Sequence, residues 1–391
     1  MFRYTTDFAN SPKTKPISRS LPIRDREFSQ AAALPFFAGL LPDGELRRRI
    51  AEALHISETS DLKLLEALGG ECAGTISLVQ REGADDTLTR QNEDGYQELA
   101  LPELECMILD SERLPMLVPR GNTRLSLAGA QEKIPLLYKD GRWYKPKGSA
   151  PTSHILKPAS SRFPELVHDE YVVMRFAGAI GLLVSEVEFA DIGRPVLIVK
   201  RYDRRYGSEG TLQRLHQEDF CQALALMPER KYQSDGGPGF PEMALLIRKA
   251  CTAPLVELER LIDIALFNAL VGNCDAHGKN SSLLYQDGYV GLAPFYDLLA
   301  TTYWPELDTK LSMKFGRTYR LSDLREADLA GLAHDLGVAT KAVRKRLDRL
   351  REAAPAAWNL ILNLPGMQSQ VNLVASTRAG WESRTRQMSG V

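Results

Sequence analysis

Gly272-Asn-Cys-Asp-Ala-His-Gly-Lys-Asn280 is the stretch on which the reading of this chain turns. It follows a run from Leu255 to Val271 that is apolar on most faces, the pattern of a buried central helix. It precedes Ser282-Leu-Leu-Tyr285, which has strand character. Asp275 and Asn280 stand five residues apart, the D-x-x-x-x-N spacing of a kinase catalytic loop. Phosphoryl transfer needs a carboxylate near the attacking hydroxyl and a neutral oxygen ligand for magnesium beside it. A polar loop pinned by a core helix can hold both. The same composition also describes an ordinary Asp-, Asn- and Gly-rich surface loop.

Further along, Ala293-Pro-Phe-Tyr-Asp-Leu-Leu299 places one carboxylate in an apolar run. An Asp among Phe295, Tyr296, Leu298 and Leu299 is costly to bury without a cation or hydrogen bonds. Asp297 therefore reads as a magnesium ligand, or as the N-cap of a helix beginning at Leu298. Upstream, Lys157 lies in the short apolar strand His154-Ile-Leu-Lys-Pro158 and Glu170 on the helix that follows. They read either as a phosphate-contacting lysine with its ion-pair partner or as an edge lysine and a solvated glutamate. Ser126-Leu-Ala-Gly-Ala-Gln-Glu-Lys133 has the small residues that let backbone N–H groups approach an anion. Its single glycine fits neither G-x-G-x-x-G nor a Walker A loop.

Around these motifs the first 120 residues look mixed, with helices over Asp43 to Leu54 and Asp61 to Leu68 and strand character from Gly74 to Val79. Residues 81–96 are polar and read as a mobile connection. Leu125 to Val199 is strand-rich: a hairpin from Ile134 to Tyr144 turns at Asp140-Gly141, and Pro195 to Val199 is a buried strand. A helix spans Glu165 to Ile180. A basic helix, Thr340 to Ala354, carries Lys341, Arg344, Lys345, Arg346, Arg349 and Arg351, and reads as a DNA-facing stripe or a solvated face. The last twenty residues are polar and are expected to fray. With 391 residues, 49 basic and 50 acidic side chains, the net charge of −1 excludes a uniformly basic nucleic-acid coat. Five scattered cysteines without a Cys-x-x-Cys pair argue for reduced thiols rather than disulfides or zinc. The N-terminus lacks a secretory core and no apolar run reaches bilayer length, so a cytoplasmic protein is expected.

Taken together in this order, the segments resemble the HipA family of serine/threonine kinases, the toxins of bacterial HipBA toxin–antitoxin modules. The resemblance rests on Ser126 to Lys133, Pro151-Thr-Ser-His-Ile-Leu-Lys157, Arg201-Tyr-Asp-Arg204, Gln217-Glu-Asp-Phe-Cys-Gln222, Lys231-Tyr232 with Gly236-Gly-Pro-Gly239, Asp275 to Asn280 and Pro294 to Asp297. Ser20-Leu-Pro-Ile, Phe36 to Leu46 and Glu66 to Thr75 extend it over roughly residues 15–365.

It implies an α+β, two-lobed protein-kinase-like fold, with a strand-rich N-terminal lobe over 1–199 and a mainly helical C-terminal lobe over 200–370. The N-terminal lobe divides into a small subdomain to about 105 and a nucleotide-covering sheet over 106–199, and a polar tail fills 371–391. It implies Asp275 as catalytic base, Asn280 and Asp297 as magnesium ligands, and ATP as cofactor with Mg2+. Lys157 would contact the phosphates, and Ala128, Gly129, Ala130, Gln131, Glu132 and Lys133 would cover them. Lys200, Arg201 and Tyr202 would meet adenine mainly through backbone groups, and His277, Gly278, Lys279 and Tyr296 would line the phosphate side. Ser126 matches the family's autophosphorylated serine, whose modification silences the kinase. A HipB-like DNA-binding antitoxin is the implied partner, with operator DNA reached mainly through it, and an aminoacyl-tRNA synthetase an example of the substrate.

The resemblance has departures: the N-terminal subdomain looks shortened, Lys200 stands where an acidic residue is common, and Cys274 adjoins the base. Two other readings are a nucleotide-binding co-repressor without significant kinase activity and a small-molecule phosphotransferase, the latter disfavoured by the Ser126 loop.

Overall fold

The computed structural model describes residues 1–12, 14–78, 95–111, 115, 117, 127–129, 131–364, 366–367 and 369–390. Ser126, Ala130 and, of the expected polar connection, residues 81–94 lie outside the described residues; Gly95 and Tyr96 open the first strand. The chain forms two compact units, one of residues 1–164 and 190–218, the other of 165–189 and 219–391. The expected boundary at 199/200 differs from this division, since the chain passes between the units three times.

The first unit is built on an antiparallel sheet. Its strands are β1 (Gly95–Leu99), β2 (Ile134–Lys139), β3 (Arg142–Lys147), β4 (His154–Pro158), β5 (Val187–Asp191) and β6 (Pro195–Lys200), in the order β1-β3-β2-β4-β6-β5. The chain re-enters this unit along β5, at Ala190. The β2–β3 hairpin turns where expected, at Asp140 (φ 51°) and Gly141 (φ 78°). Two consecutive left-handed residues give a turn whose twist matches that of the flanking strands. Leu104 and Ile108 of the helix Leu101–Asp110 pack on Ile134, Leu136, Leu156, Val196 and Ile198, which covers one sheet face.

A second core gathers Leu21, Phe36, Leu41, Leu46, Ile50, Leu64 and Leu68 from the N-terminal segment and the helices Gln30–Ala38, Gly44–Leu54 and Asp61–Leu68. The strand expected over 74–79 is not formed at residues 74–78, and Val79 lies outside the described residues. Side chains hold Gly74 instead of a ladder, and the Leu78 N–H turns back to the Gly69 carbonyl at 2.6 Å. Gly74 (φ 71°) donates its N–H to Asp203 Oδ2 at 2.7 Å, and its carbonyl accepts from Arg204 Nη1 at 3.1 Å.

Those bonds belong to a buried ionic cluster that joins the two cores of this unit. Glu71 Oε1 accepts from Arg201 Nη1 at 3.0 Å and Arg204 Nη2 at 2.8 Å, and Glu71 Oε2 accepts from Arg214 Nη2 at 2.8 Å. Asp203 takes two further bonds from Arg201. Burial alone would raise both acids, but the surrounding guanidinium groups win and hold Glu71 and Asp203 below the usual carboxylate range.

The second unit is mainly helical, as its apolar periodicity predicts. The helix Pro254–Val271 is buried along most of its length and packs against the helices Phe240–Ala250, Thr340–Ile361 and Val371–Ser389. Phe176, on the helix Leu166–Ala179, stacks on Trp358 at 3.8 Å and meets Trp381 edge-on at 4.8 Å. Two expectations need correction. The basic helix does not stop at Ala354 but runs through Pro355 to Ile361. Pro355 sits on the exposed face, where the carbonyl it frees can be hydrated. Ala354, Ala357, Trp358 and Ile361 continue the buried stripe. The expected frayed tail is instead a helix burying Leu373, Val374, Thr377, Trp381, Thr385 and Met388, a three-to-four-residue spacing diluted by polar neighbours.

The basic helix is substantially neutralised by acids. Arg346 and Arg349 pair with the buried Asp263, Arg344 with Glu326 and Arg351 with Asp348. All five cysteines are free thiols, and among the described residues no helix is long and apolar enough to cross a membrane.

Removing one partner of a buried ion pair costs about 3–5 kcal/mol because the other charges remain. Glu71→Gln should therefore lower the stability of the chain by about that much in urea unfolding. The sign with pH follows from the depressed carboxyls: their stabilisation is complete above about pH 4, the unfolded value. It is lost as the pH falls further, so the urea midpoint of the parent should drop on acidification and that of Glu71→Gln should drop less.

Candidate active site

The helix Pro254–Val271 ends at Gly272 in the left-handed region, φ 85°. A Cβ there would lie 2.3 Å from Thr302 Oγ1, so only glycine turns the chain at this point. The loop beyond it is bonded residue by residue. Asn273 Oδ1 accepts the N–H of Asp275 at 3.1 Å while its Nδ2 donates to Asn268 Oδ1. The N–H of Cys274 donates to Thr301 Oγ1 at 2.8 Å, and its carbonyl accepts from Ser312 Oγ at 2.6 Å. Thr301 Oγ1 in turn donates to the carbonyl of Gly272.

Asp275 is half-buried on this frame, and the hydroxyl of Tyr232 donates to its Oδ1 at 2.6 Å. Burial pushes its carboxyl up and the charge of Asp297 adds to that. The Tyr232 hydrogen bond and the Lys231 ammonium act in the opposite direction, and the net shift is upward. Asn280 Nδ2 donates to the Asp275 carbonyl at 3.0 Å. The amide nitrogen is thereby committed to the loop, which leaves the amide oxygen as the group able to ligate a cation.

Asp297 does not cap a helix: its φ is 60° and residues 298–300 are irregular. The strand-like exchange between Leu183–Ser185 and Phe295, at 2.9 Å both ways, fixes the segment before it. Asp169 secures the segment after it, accepting from the Ala300 N–H at 3.0 Å and Trp304 Nε1 at 3.2 Å. The Tyr296 hydroxyl bonds to the Lys279 carbonyl and to Ser282 Oγ, each at 2.7 Å.

Two of the expected phosphate-side residues behave differently from a cation row. Lys279 is buried with its ammonium 3.6 Å from Asp219 Oδ2. Its charge is met by Asp219 inside the unit, and its carbonyl accepts from the Tyr296 hydroxyl. Burial pushes His277 down to about 3, so its ring is neutral at physiological pH.

Within the first unit, the Gly129 carbonyl accepts from the Asp43 N–H at 3.2 Å, which ties the expected phosphate loop to the N-terminal core. Lys133 folds beneath that loop, its Nζ donating to the Gln131 carbonyl at 2.9 Å. Glu132 lies 3.5 Å from Arg49. Lys157 is buried on β4 opposite Leu197 of β6, and Lys200 pairs with His154 at the other end of the same ladder. The Arg201 guanidinium is locked in the Glu71 cluster, so any ligand contact there falls to its backbone. The Tyr202 hydroxyl bonds to Gln217.

The residues fit a magnesium ion. Asn280 and Asp297 offer hard oxygen donors, and Asp275 and Asp297 repel one another. Among the described residues no cluster of three or more His, Cys, Asp or Glu forms a closed metal cage. Magnesium is held by one or two protein oxygens together with water and nucleotide phosphates, and needs no such cage.

A strand-rich unit, a mainly helical one and an Asp-x-x-x-x-Asn loop on a buried helix define an α+β kinase-like fold. Residues 125–358 match the HipA-like C-terminal domain and residues 1–79 the HipA N-terminal domain. The chain is 41% identical over 364 residues to Y4mE of Sinorhizobium fredii, provisionally named a kinase, covering 92% of this chain and 86% of that one. It is 29% identical over 388 residues to the serine/threonine-protein kinase toxin HipA of Shewanella oneidensis, covering 95% and 87%. A chain of the solved Shewanella oneidensis MR-1 complex of HipA, HipB and operator DNA superposes with a TM-score of 0.84 at 27% identity, over 99% of this chain and 92% of that chain. The chain belongs to the HipA family.

Gly278 packs so closely that an added Cβ would sit 2.6 Å from Pro238 Cγ and 2.9 Å from Cys221 Sγ. Gly278→Ala should therefore destabilise the chain by about 1–3 kcal/mol, read as a lowered thermal midpoint.

Proposed function

We propose that this chain is an ATP- and magnesium-dependent protein serine/threonine kinase acting as the toxin of a HipBA-like module. The observation that carries the reading is the presentation of Asp275 and Asn280 on one hydrogen-bonded loop, with Asp297 close enough to perturb the Asp275 carboxyl. Asp275 accepts the proton of the substrate hydroxyl as its oxygen attacks the γ-phosphorus. Asn280 and Asp297 would hold the metal, which would supply positive charge against the nucleotide phosphates. Lys157 contacts the phosphates, and the loop from Ala128 to Lys133 covers them. The backbone of Lys200 to Tyr202 meets the adenine.

Phosphorylation of Ser126 would add nearly two negative charges beside the phosphate loop and oppose ATP there, which makes it a self-silencing step. The solved relative containing HipB and operator DNA supports a HipB-like antitoxin as partner, with DNA reached through it. An aminoacyl-tRNA synthetase is the proposed kind of substrate, and growth arrest the outcome. The co-repressor alternative loses its main local support, because most arginines of the basic helix are paired with acids.

Incubation of the purified chain with Mg-ATP should place phosphate on Ser126, read by mass spectrometry. Asp275→Asn should reduce the rate by about 10²–10⁴ while retaining nucleotide binding. Nucleotide binding without any transfer by the parent would favour the co-repressor. Phosphoproteomics of arrested cells would identify the substrate.

A further inference from the structure

The Lys231-Tyr232 and Gly236 to Gly239 motifs have no role in the mechanism above, yet they form a strap against the catalytic loop. Its two short turns, Pro228–Arg230 and Gln233–Asp235, belong to the same compact unit as Asp275. Three independent contacts hold the strap to the loop. The Lys231 carbonyl accepts the N–H of Gly278 at 3.1 Å, and the Tyr232 ring meets the His277 ring edge-on at 5.2 Å. Pro238 fills the space that a side chain at position 278 would need. The strap is itself anchored, because Gln233 Oε1 accepts the N–H of Lys314 at 2.6 Å.

From this frame the Tyr232 hydroxyl reaches Asp275 Oδ1 at 2.6 Å, a short charge-assisted bond. A carboxylate without such a bond rotates about its Cβ–Cγ bond, and its oxygens exchange places. With Oδ1 held, Oδ2 is the oxygen presented to a substrate hydroxyl. We propose that Tyr232 is a positioning residue for the base, fixing the Asp275 carboxylate so that Oδ2 takes the hydroxyl proton. In that step the substrate oxygen forms its bond to the γ-phosphorus and the bond to the β,γ-bridging oxygen breaks. ADP leaves, and the proton rests on Asp275. The inference rests on the kinase reading and adds to it a residue that acts through the Asp275 carboxylate.

Tyr232→Phe keeps the ring on His277 and removes only the hydroxyl. In the full-length chain, kcat for phosphate transfer from Mg-ATP should fall about 10–100-fold, the cost of a misplaced reacting group. KM for ATP and the thermal midpoint should change little. A purely structural role would instead lower the thermal midpoint and affect all kinetic constants together. A double-mutant cycle adds a second measurement, with single-turnover rates as the readout. Tyr232→Phe in an Asp275→Asn background should slow transfer no further, because the group it positions is already disabled. An active parent whose Tyr232→Phe variant keeps kcat within about twofold overturns the inference alone, as does an equal further loss in the Asp275→Asn background. A parent that binds ATP but transfers no phosphate overturns the kinase reading, and this inference with it.

Discussion

Arg384 grips the C-terminus of the helix Pro254–Val271, and the geometry of the loop that carries Asp275 hangs on that grip. Its Nε donates to the carbonyl of Leu270 at 2.7 Å and its Nη2 to that of Val271 at 2.9 Å. Burial lowers the guanidinium to about 10, so it stays charged at neutral pH. A cation on the last carbonyls of a helix satisfies acceptors that have no partner within the helix and complements its dipole. Directly after these carbonyls comes Gly272, whose left-handed turn starts the loop. Asp275 therefore stands on a helix end held by a residue more than a hundred positions later in the chain.

The same logic operates in the first unit with more charge. Glu71 is met by three arginines, and Asp203 bridges back to Gly74. Buried charges of this kind contribute little net stability compared with apolar packing of similar volume. What they do impose is direction, since each guanidinium accepts only one arrangement of its partners. Thr152 also donates its N–H and hydroxyl to Glu71. The segment entering β4, which carries Lys157, is thus set by the cluster rather than by hydrophobic contact alone.

The legible parts of this chain were those encoded locally. Asp140-Gly141 announces a two-residue hairpin, and the apolar density of Leu255 to Val271 announces a buried helix. The Asp275–Asn280 spacing reads directly as a loop, and the bond from Asn280 Nδ2 to the Asp275 carbonyl gives the physical reason for that spacing. What could not be read was encoded between distant residues. Nothing in the sequence connects Tyr232 with Asp275 across 43 positions, or Arg384 with Leu270 across 114. The last helix was hidden because its buried stripe includes Thr377 and Thr385, whose hydroxyls bond back to Leu373 and Trp381 and so cost little to bury. The ion pair of Lys279 with Asp219 was equally hidden, because the two residues stand far apart in the chain.

That diversion of Lys279 has an electrostatic consequence. With its ammonium held by Asp219 and His277 neutral, the loop adds little positive charge of its own beside Asp275 and Asp297. The charge of Asp297 adds to the burial that raises the Asp275 carboxyl, and the Tyr232 hydroxyl with Lys231 offsets only part of that rise. The donor proposed from Asn280 is a neutral amide oxygen, which adds no charge. In the proposed reading, a divalent cation entering with the phosphates would answer the repulsion that Asp297 exerts on Asp275. The ion pair of Lys279 with Asp219 buries the lysine as a support of the loop, and the Lys279 backbone carbonyl accepts from the Tyr296 hydroxyl.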